Sequence, residues 1–362
     1  MQNNKRIVIK IGTKCLTSKD RSLDKDRVKD IVDQIADIQD SGFRAIMVTS
    51  GAIGAGMWIM GLKKRPTKLC DLQAAAAIGQ GYLMHLYSDL FKARGYEVGQ
   101  ILLTQEDFNN RERYINIKHT IGAILGHKAI PIINENDTVA TDEIKCGDND
   151  RLSSLVADLC QARTLIIMTD VDGLLDRNGK VINVVDRITP EIMRLGGASH
   201  CDLGTGGMAT KLEAARAVNS SGIECIIVNG KKEDIIVRAV RGEPVGTTFK
   251  SDKVKFIAKK RWIAFSSKPK GSIIIDDGAK EALRKKDRSL LASGVVGVEG
   301  YFSAGDCVVI SDNRGTELAK GLSSYSSSDL AKIKGRRTDD FRAILGRKSP
   351  DEVVHKDNLV IL

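Results

Sequence analysis

The chain of 362 residues lacks an apolar run long enough to span a membrane. Its N-terminus is polar, and its most apolar stretch, residues 44–62, is interrupted by Thr49, Ser50 and four glycines. A spanning helix needs about 20 consecutive apolar residues, and a signal peptide needs a basic start followed by an apolar segment. We therefore expect a cytoplasmic protein without a membrane segment.

Paired cysteines are missing as well. The seven cysteines are odd in number, are scattered along the chain, and include no C-x-x-C pair. Disulfide frameworks and structural zinc sites both need closely spaced sulfur ligands or an even set of partners. The pattern argues against both kinds of site, and we expect reduced thiols.

Three common ligand-binding fingerprints are incomplete. The stretch GTGGMATK, residues 204–211, differs from a P-loop because Thr210 rather than glycine precedes Lys211. The glycines in residues 51–56 occur in the reverse order of the dinucleotide fingerprint, and the aspartates in residues 170–176 lack the spacing of a calcium loop. A nucleotide, if bound, must be held by another architecture.

Charge is distributed unevenly along the chain. The net charge is +10, yet residues 1–249 contain 33 basic and 31 acidic side chains, whereas residues 250–350 contain 22 and 12. With 42% hydrophobic residues, the chain is long enough for two packed cores. The split indicates two modules with different surfaces.

Buried strands alternate with helices through the first module. Apolar runs predict strands at 6–12, 44–51, 97–104, 129–137, 164–170 and 224–230, and helical periodicity lies between them. This order predicts an α/β domain over 1–250 with a mostly parallel sheet sandwiched between helices. A basic linker over 251–270, a small β-rich domain over 271–347 and a tail over 348–362 complete the prediction.

Ligands of parallel sheets bind beyond the carboxyl ends of the strands, so the residues there are candidates. Lys10 interrupts the apolar first strand, and a buried ammonium group there needs an anionic partner. The glycines after the second strand suit either anion binding by backbone N–H groups or tight helix packing, and the sequence leaves both open.

The fourth and fifth strands end in polar clusters. Asn134 to Asp137 and Asp148 to Asp150 combine amides with carboxylates, a mixture that suits an amino-acid ligand better than a solvated face. Asp170 opens a turn that we expect to face a nucleotide.

Together these motifs resemble the amino acid kinase family, and within it the members that phosphorylate the side chain of glutamate. The resemblance is carried in chain order by VIKIGT, VTSGAIGAG, LLT, INENDTVAT, EIKCGDNDRLS, TDVDGL and GTGGMATK. In the last third, IIIDDGAKEAL, SLLASGVVGVEGYFSAGDCVVI and AKGLSSYSSSDL look like a PUA domain. The resemblance therefore covers nearly the full chain.

The resemblance implies transfer of the γ-phosphoryl group of ATP to the side-chain carboxylate of L-glutamate, the first step of L-proline biosynthesis, with ATP and Mg²⁺ as cofactors. It implies three sets of site residues. The catalytic residues are Lys10, Lys211 and Asp150. Glutamate binds to Ser50, Gly51, Asp137 and Asn149. The ATP site is lined by Lys10, Thr169, Asp170, Thr205, Gly206, Gly207, Met208, Ala209, Thr210 and Lys211. No residue is assigned to a metal, because Mg²⁺ is expected on the phosphates of ATP.

The resemblance also implies partners and leaves alternatives. A homo-oligomer, either dimer or tetramer, feedback inhibition by proline and coupling to glutamyl-phosphate reductase are expected, without a membrane partner. The basic last third keeps an RNA-binding PUA protein as an alternative, although few aromatic residues accompany the charge and we favour a structural or regulatory role. Within the same fold, an acetylglutamate, aspartate or nucleoside monophosphate kinase is the other alternative.

Overall fold

The structure, a computed structural model, describes residues 5–18, 22–140, 149–197, 207–251, 260, 262–263, 269–284, 288–347 and 349–361. The chain divides into two compact units, Met1–Lys255 and Phe256–Leu362. The linker predicted over 251–270 lies mostly outside the described residues.

The described part of the first unit contains an eight-stranded sheet. Its strands are β1 Arg6–Ile11, β2 Arg44–Val48, β3 Val98–Leu103, β4 Ile130–Glu135, β5 Thr164–Thr169, β6 Val184–Val185, β7 Glu224–Asn229 and β8 Thr247–Phe249. Their order is β3-β4-β2-β1-β5-β7-β8-β6, and every pair is parallel except β7 with β8. The predicted mostly parallel sheet is confirmed, and β1 lies near its centre.

Helices connect these strands and cover the sheet. They are α1 Lys25–Asp40, α2 Ala52–Ile59, α3 Leu69–Ala93, α4 Gln105–Asn109, α5 Arg111–Gly126, α6 Asn149–Cys160, α7 Pro190–Leu195, α8 Met208–Ser220 and α9 Ile235–Val240. None of the described helices has the length and hydropathy that a membrane-spanning segment requires.

Strand β1 separates two layers of side chains. Ile7, Ile9 and Ile11 join the core that β1 shares with α1, α3 and α9. Successive side chains of a strand point to opposite faces, so Val8 and Lys10 face the other layer, where α6 lies. The alternation therefore directs one lysine of an otherwise apolar strand toward α6.

The glycines after β2 have two different roles. Gly51 ends the loop before α2 with φ +95°, a conformation that favours glycine. Gly56 lies in α2 where a Cβ atom would be 1.8 Å from the backbone oxygen of Ala75 in α3, and a Cβ atom at Gly79 would be equally close to the oxygen of Ala52. Tight helix packing thus accounts for Gly56, whereas the left-handed turn accounts for Gly51.

The second unit is rich in short strands. They are β9 Gly271–Ile275, β10 Leu290–Leu291, β11 Val295–Gly300, β12 Cys307–Asp312, β13 Glu317–Leu322, β14 Glu352–Val354 and β15 Leu359–Ile361, with helices α10 Asp277–Arg284, α11 Ser327–Ile333 and α12 Phe341–Leu345. The main sheet has the order β11-β9-β12-β13-β15, and β10 pairs with β14. The predicted β-rich domain is confirmed, and residues beyond 347 contribute two of its strands.

The packing of α2 on α3 generates a prediction about stability. Gly79→Ala should lower the free energy of unfolding by roughly 1–3 kcal/mol or more, because the new methyl group must displace the backbone of Ala52. Gly81→Ala, in the same helix with open space around it, should instead stabilise by up to about 1 kcal/mol. Urea denaturation of both variants measures the difference. Equal shifts would contradict the close approach of the two helices.

Candidate active site

The carboxyl ends of β1, β2, β4 and β5 open into one cavity of about 530 Å³. Eight of the predicted site residues line it, although they come from six separate places in the sequence. These residues are Lys10, Ser50, Gly51, Asp137, Asn149, Thr169, Asp170 and Lys211. The structure therefore brings the predicted catalytic lysines and the predicted substrate and nucleotide residues to a single site.

Asp150 joins the two lysines at the base of this cavity. Its Oδ1 lies 2.7 Å from Lys10 Nζ, and its Oδ2 lies 3.1 Å from Lys211 Nζ. Thr210 Oγ1 donates a third bond to Oδ2, at 2.8 Å. All three charged residues are at most 7% exposed. One carboxylate thus fixes two ammonium groups that are 201 positions apart in the sequence.

The electrostatics of this ion triad follow from burial and charge. Burial acts to raise the pKa of Asp150, but the ammonium groups of Lys10 and Lys211 outweigh it and lower the pKa to about 2. Burial lowers the pKa of Lys211, an effect that the charge of Asp150 opposes. The carboxylate is therefore ionised at neutral pH, and the triad carries an excess of positive charge toward the cavity.

A chain of neutral groups lies beside the triad. Asn149 Nδ2 donates to Ser50 Oγ at 2.9 Å and to Asn134 Oδ1 at 3.1 Å. Asn134 Nδ2 in turn donates to Gln80 Oε1 at 2.8 Å. These contacts hold Ser50 at the end of β2 against the first residue of α6. The arrangement offers polar groups for a ligand without adding charge.

Asp137 provides a negative charge at another part of the cavity wall. Burial raises its pKa to about 6, and the positive charge of Arg65, which also lines the cavity, opposes this rise. A carboxylate that is poorly solvated and has room beside it is suited to pair with a cationic ligand group.

The predicted nucleotide-binding residues lie at the end of β5 and at the start of α8, except for two that lie outside the described residues. Thr169 and Asp170 line the cavity where β5 ends. Gly207 precedes α8, which begins with Met208, Ala209, Thr210 and Lys211 and has no side-chain cap. The first N–H groups of such a helix are directed outward and attract anions. Thr205 and Gly206 lie outside the described residues.

Sequence reasoning missed several cavity residues, of which Lys14, Arg65 and Trp58 are examples. Lys14, four residues after Lys10, places its Nζ 2.9 Å from Asp170 Oδ2, although its side chain is 59% exposed. Arg65 and Trp58 line the cavity from the segment that follows β2. The position of Lys14 just beyond the first strand was a usable signal. Nothing in the local pattern distinguished Arg65 or Trp58 from surface residues.

Known proteins resemble this chain over almost its whole length. The Amino acid kinase family matches residues 5–229, and the PUA domain matches residues 271–345. Glutamate 5-kinase of Caldanaerobacter subterraneus subsp. tengcongensis is 46% identical over 363 residues, which cover 99% of this chain and 98% of that protein. Glutamate 5-kinase of Geobacter sulfurreducens is 45% identical with the same coverage. Among solved structures, carbamate kinase from Giardia lamblia bound to AMP-PNP is similar over 70% of this chain, with 19% identity and a TM-score of 0.49.

The ion triad generates a prediction about pH. Asp150 has a lowered pKa in the folded chain, so its ionised form stabilises the fold above its ordinary pKa, and this stability is lost as the pH falls toward 2. Asp150→Asn should therefore cost about 2–3 kcal/mol of unfolding free energy at pH 7. The gap to the wild-type chain should shrink by about half between pH 5 and pH 3.

Chemical denaturation at several pH values measures this gap. Asp172→Asn is the matched control, because Asp172 also pairs with a lysine, Lys232 at 2.8 Å, but at the surface. An exposed pair contributes little to stability. A gap for Asp150→Asn that stays constant from pH 7 to pH 3 would contradict the assignment of the lowered pKa.

Proposed function

The chain belongs to the amino acid kinase family, among its glutamate 5-kinases, and on this premise we propose that it transfers the γ-phosphoryl group of ATP to the side-chain carboxylate of L-glutamate. The products are L-glutamyl 5-phosphate and ADP, and the reaction is the first step of L-proline biosynthesis. The observation that carries the proposal is the ion triad of Lys10, Asp150 and Lys211 in a cavity that also contains Ser50, Asn149 and Asp137.

The chemistry of the reaction explains why the site needs positive charge rather than a base. A glutamate side chain has an ordinary pKa of about 4.3, so its carboxylate is already a nucleophile at neutral pH. The barrier lies in bringing this anion to the phosphates of ATP. Phosphoryl transfer of this kind is catalysed by positioning and by neutralising charge.

Lys10 and Lys211 are the groups that neutralise this charge. Both ammonium groups are buried at the cavity, and Asp150 holds each within 3.1 Å. We assign them to the two sides of the transferred phosphoryl group. Asp150 contacts the lysines from behind and acts as a positioning residue for both.

Glutamate is assigned to the neutral and acidic parts of the wall. Ser50, held by Asn149, and the N–H group of Gly51 suit its carboxylates, and Asp137 suits its α-ammonium group. An N-acetylated substrate lacks that ammonium group. The pairing with Asp137 therefore favours glutamate over acetylglutamate as the acceptor.

ATP is assigned to the end of β5 and the start of α8. Thr169, Asp170 and residues 205–211 form this side, and the uncapped helix start supports the placement of phosphates there. No group of three His, Cys, Asp or Glu side chains that could hold a metal ion occurs among the described residues. Mg²⁺ is therefore assigned to the phosphates of ATP and to water, where it neutralises phosphate charge.

The domain limits and partners complete the proposal. Residues 1–250 are assigned to the catalytic domain, 251–270 to the linker, 271–347 to the PUA domain and 348–362 to the tail, which adds strands β14 and β15 to the β-rich domain. The chain forms a homo-oligomer, either dimer or tetramer, in the cytoplasm. Proline, which has its own ammonium and carboxylate groups, inhibits at or beside the glutamate site. The labile acyl phosphate favours coupling to glutamyl-phosphate reductase.

The two-lysine mechanism predicts the effect of removing either ammonium group. Lys10→Ala and Lys211→Ala should each lower kcat by about 10²–10³-fold or more, because each lysine stabilises charge that develops in the transition state. ADP formation from ATP is measured with L-glutamate, and with N-acetylglutamate, aspartate and UMP as alternative acceptors. Only L-glutamate should support rapid turnover by the unaltered chain.

Lys29→Ala is the matched control, since Lys29 is 62% exposed and pairs with Asp33 within α1. This variant should retain full turnover. Circular dichroism and thermal denaturation verify that each variant is folded. Near-normal kcat in a folded Lys10→Ala or Lys211→Ala chain would remove that lysine from the mechanism, and preference for another acceptor would overturn the proposed substrate.

Asp137 generates a separate prediction about substrate affinity. Asp137→Asn should raise the KM for glutamate by about 10–100-fold and change the KM for ATP far less, because it removes a charge-assisted hydrogen bond to the α-ammonium group. Steady-state kinetics with each substrate varied in turn measure both constants. Asp89→Asn, on the exposed surface of α3, should change neither.

The same carboxylate predicts a pH dependence. Because the pKa of Asp137 is raised to about 6, its ionised form is lost as the pH falls through 6, and kcat/KM for glutamate should fall with it. Asp137→Asn should lack this step. Equal losses of affinity for glutamate and ATP, or an unchanged pH profile in the variant, would exclude Asp137 from the glutamate site.

A further inference from the structure

We propose that Gln80, in helix α3, is a positioning residue that fixes the amides of Asn134 and Asn149 and thereby turns the hydroxyl hydrogen of Ser50 toward the substrate. Gln80 is 8% exposed and does not line the cavity, and its side chain is linked to the site by a hydrogen bond with Asn134. The proposal rests on the proposed function, because it concerns the binding of glutamate to Ser50.

The direction of the hydrogen-bond chain is fixed by a backbone group. The N–H group of Glu135 donates to Asn134 Oδ1 at 2.9 Å. A backbone N–H can only donate, so the oxygen of the Asn134 amide must face it. The nitrogen of the same amide must then point the other way, toward Gln80. A side-chain amide rotated by half a turn would oppose donor to donor at Glu135 and acceptor to acceptor at Gln80.

Gln80 completes this arrangement because it presents an oxygen. Asn134 Nδ2 donates to Gln80 Oε1 at 2.8 Å, while Gln80 Nε2 is buried without a hydrogen-bond partner among the described residues. An unpaired buried donor is costly. We infer that this cost is tolerated because the opposite orientation of the Gln80 amide would leave Asn134 Nδ2 without its acceptor. The amide of Asn134 would then no longer be held in one orientation.

The consequence reaches the cavity through Asn149. Both hydrogens of Asn149 Nδ2 are used, one on Asn134 Oδ1 and one on Ser50 Oγ. Ser50 Oγ thus accepts a bond, and its own hydroxyl hydrogen is directed to a ligand acceptor such as a carboxylate oxygen. Asn149 Oδ1 is buried and has no partner among the described residues, so the amide of Asn149 acts on the cavity through Ser50.

Gln80→Met tests the proposal, because methionine has a similar length and lacks the acceptor oxygen. The KM for glutamate should rise ~10-fold, while the KM for ATP stays within about twofold of the wild-type value. Gln80→Glu restores an acceptor oxygen at the same place and should return the KM for glutamate to within about threefold of wild type. Should Gln80→Met not fold, Gln80→Ala removes the same oxygen without bulk and takes its place.

Tyr87→Phe is the matched control. Tyr87 lies in the same helix, is fully buried, and shares a 2.8 Å hydrogen bond with Thr49, the residue before Ser50. This variant should lose stability without a change in the KM for glutamate. An equal rise of KM in Tyr87→Phe, a rise for ATP as large as for glutamate, or no recovery in Gln80→Glu would overturn the role of Gln80.

The unaltered chain is assayed first, so that a failure of the proposed function is distinguished from a failure of the role of Gln80. If it does not phosphorylate glutamate, the proposed function fails. If it does, and Gln80→Met leaves the KM for glutamate unchanged, only the role of Gln80 fails.

Discussion

Two buried ammonium groups that share one carboxylate are the constraint on which the candidate active site of this chain depends. An ammonium group without a partner in this environment costs several kcal/mol, so Lys10 and Lys211 are tolerated only where Asp150 reaches both. This requirement places the end of β1, the start of α6 and the start of α8 beside one another. Because β1 lies near the centre of the sheet, its carboxyl end has neighbouring strands on both sides.

Charged and neutral groups have different roles in this site. One carboxylate cannot neutralise two ammonium groups, so the triad attracts anions toward the cavity. Attraction of this kind has little direction, because a compact ammonium group serves any nearby acceptor. The amides of Asn134 and Asn149 supply direction instead, since each has a donor end and an acceptor end. A site that must bring two anions together needs both kinds of group.

The fold was largely predictable because burial and periodicity are local properties. The six strands predicted from apolar runs are all present, and each long helix falls between two such runs, whereas β6 and β8, of two and three residues, were not among them. The anomaly of Lys10 was also local, since a lysine in an apolar strand demands a partner. The identity of that partner is not a local property, because Asp150 lies 140 positions away in the sequence. Asp150 was assigned only through the resemblance to a family.

The parts of the site that could not be predicted are those defined only by contacts between distant segments. Gln80 occupies a helix whose pattern indicates burial, and a buried glutamine in that pattern has no chemistry until its neighbour is known. Its neighbour is Asn134, 54 positions further along, and its orientation depends on the N–H group of Glu135. Residue type alone could identify Ser50 and Asn149 as polar candidates. The direction of the Ser50 hydroxyl is decided by donors and acceptors that the fold brings behind it, so this property exists only in the assembled structure.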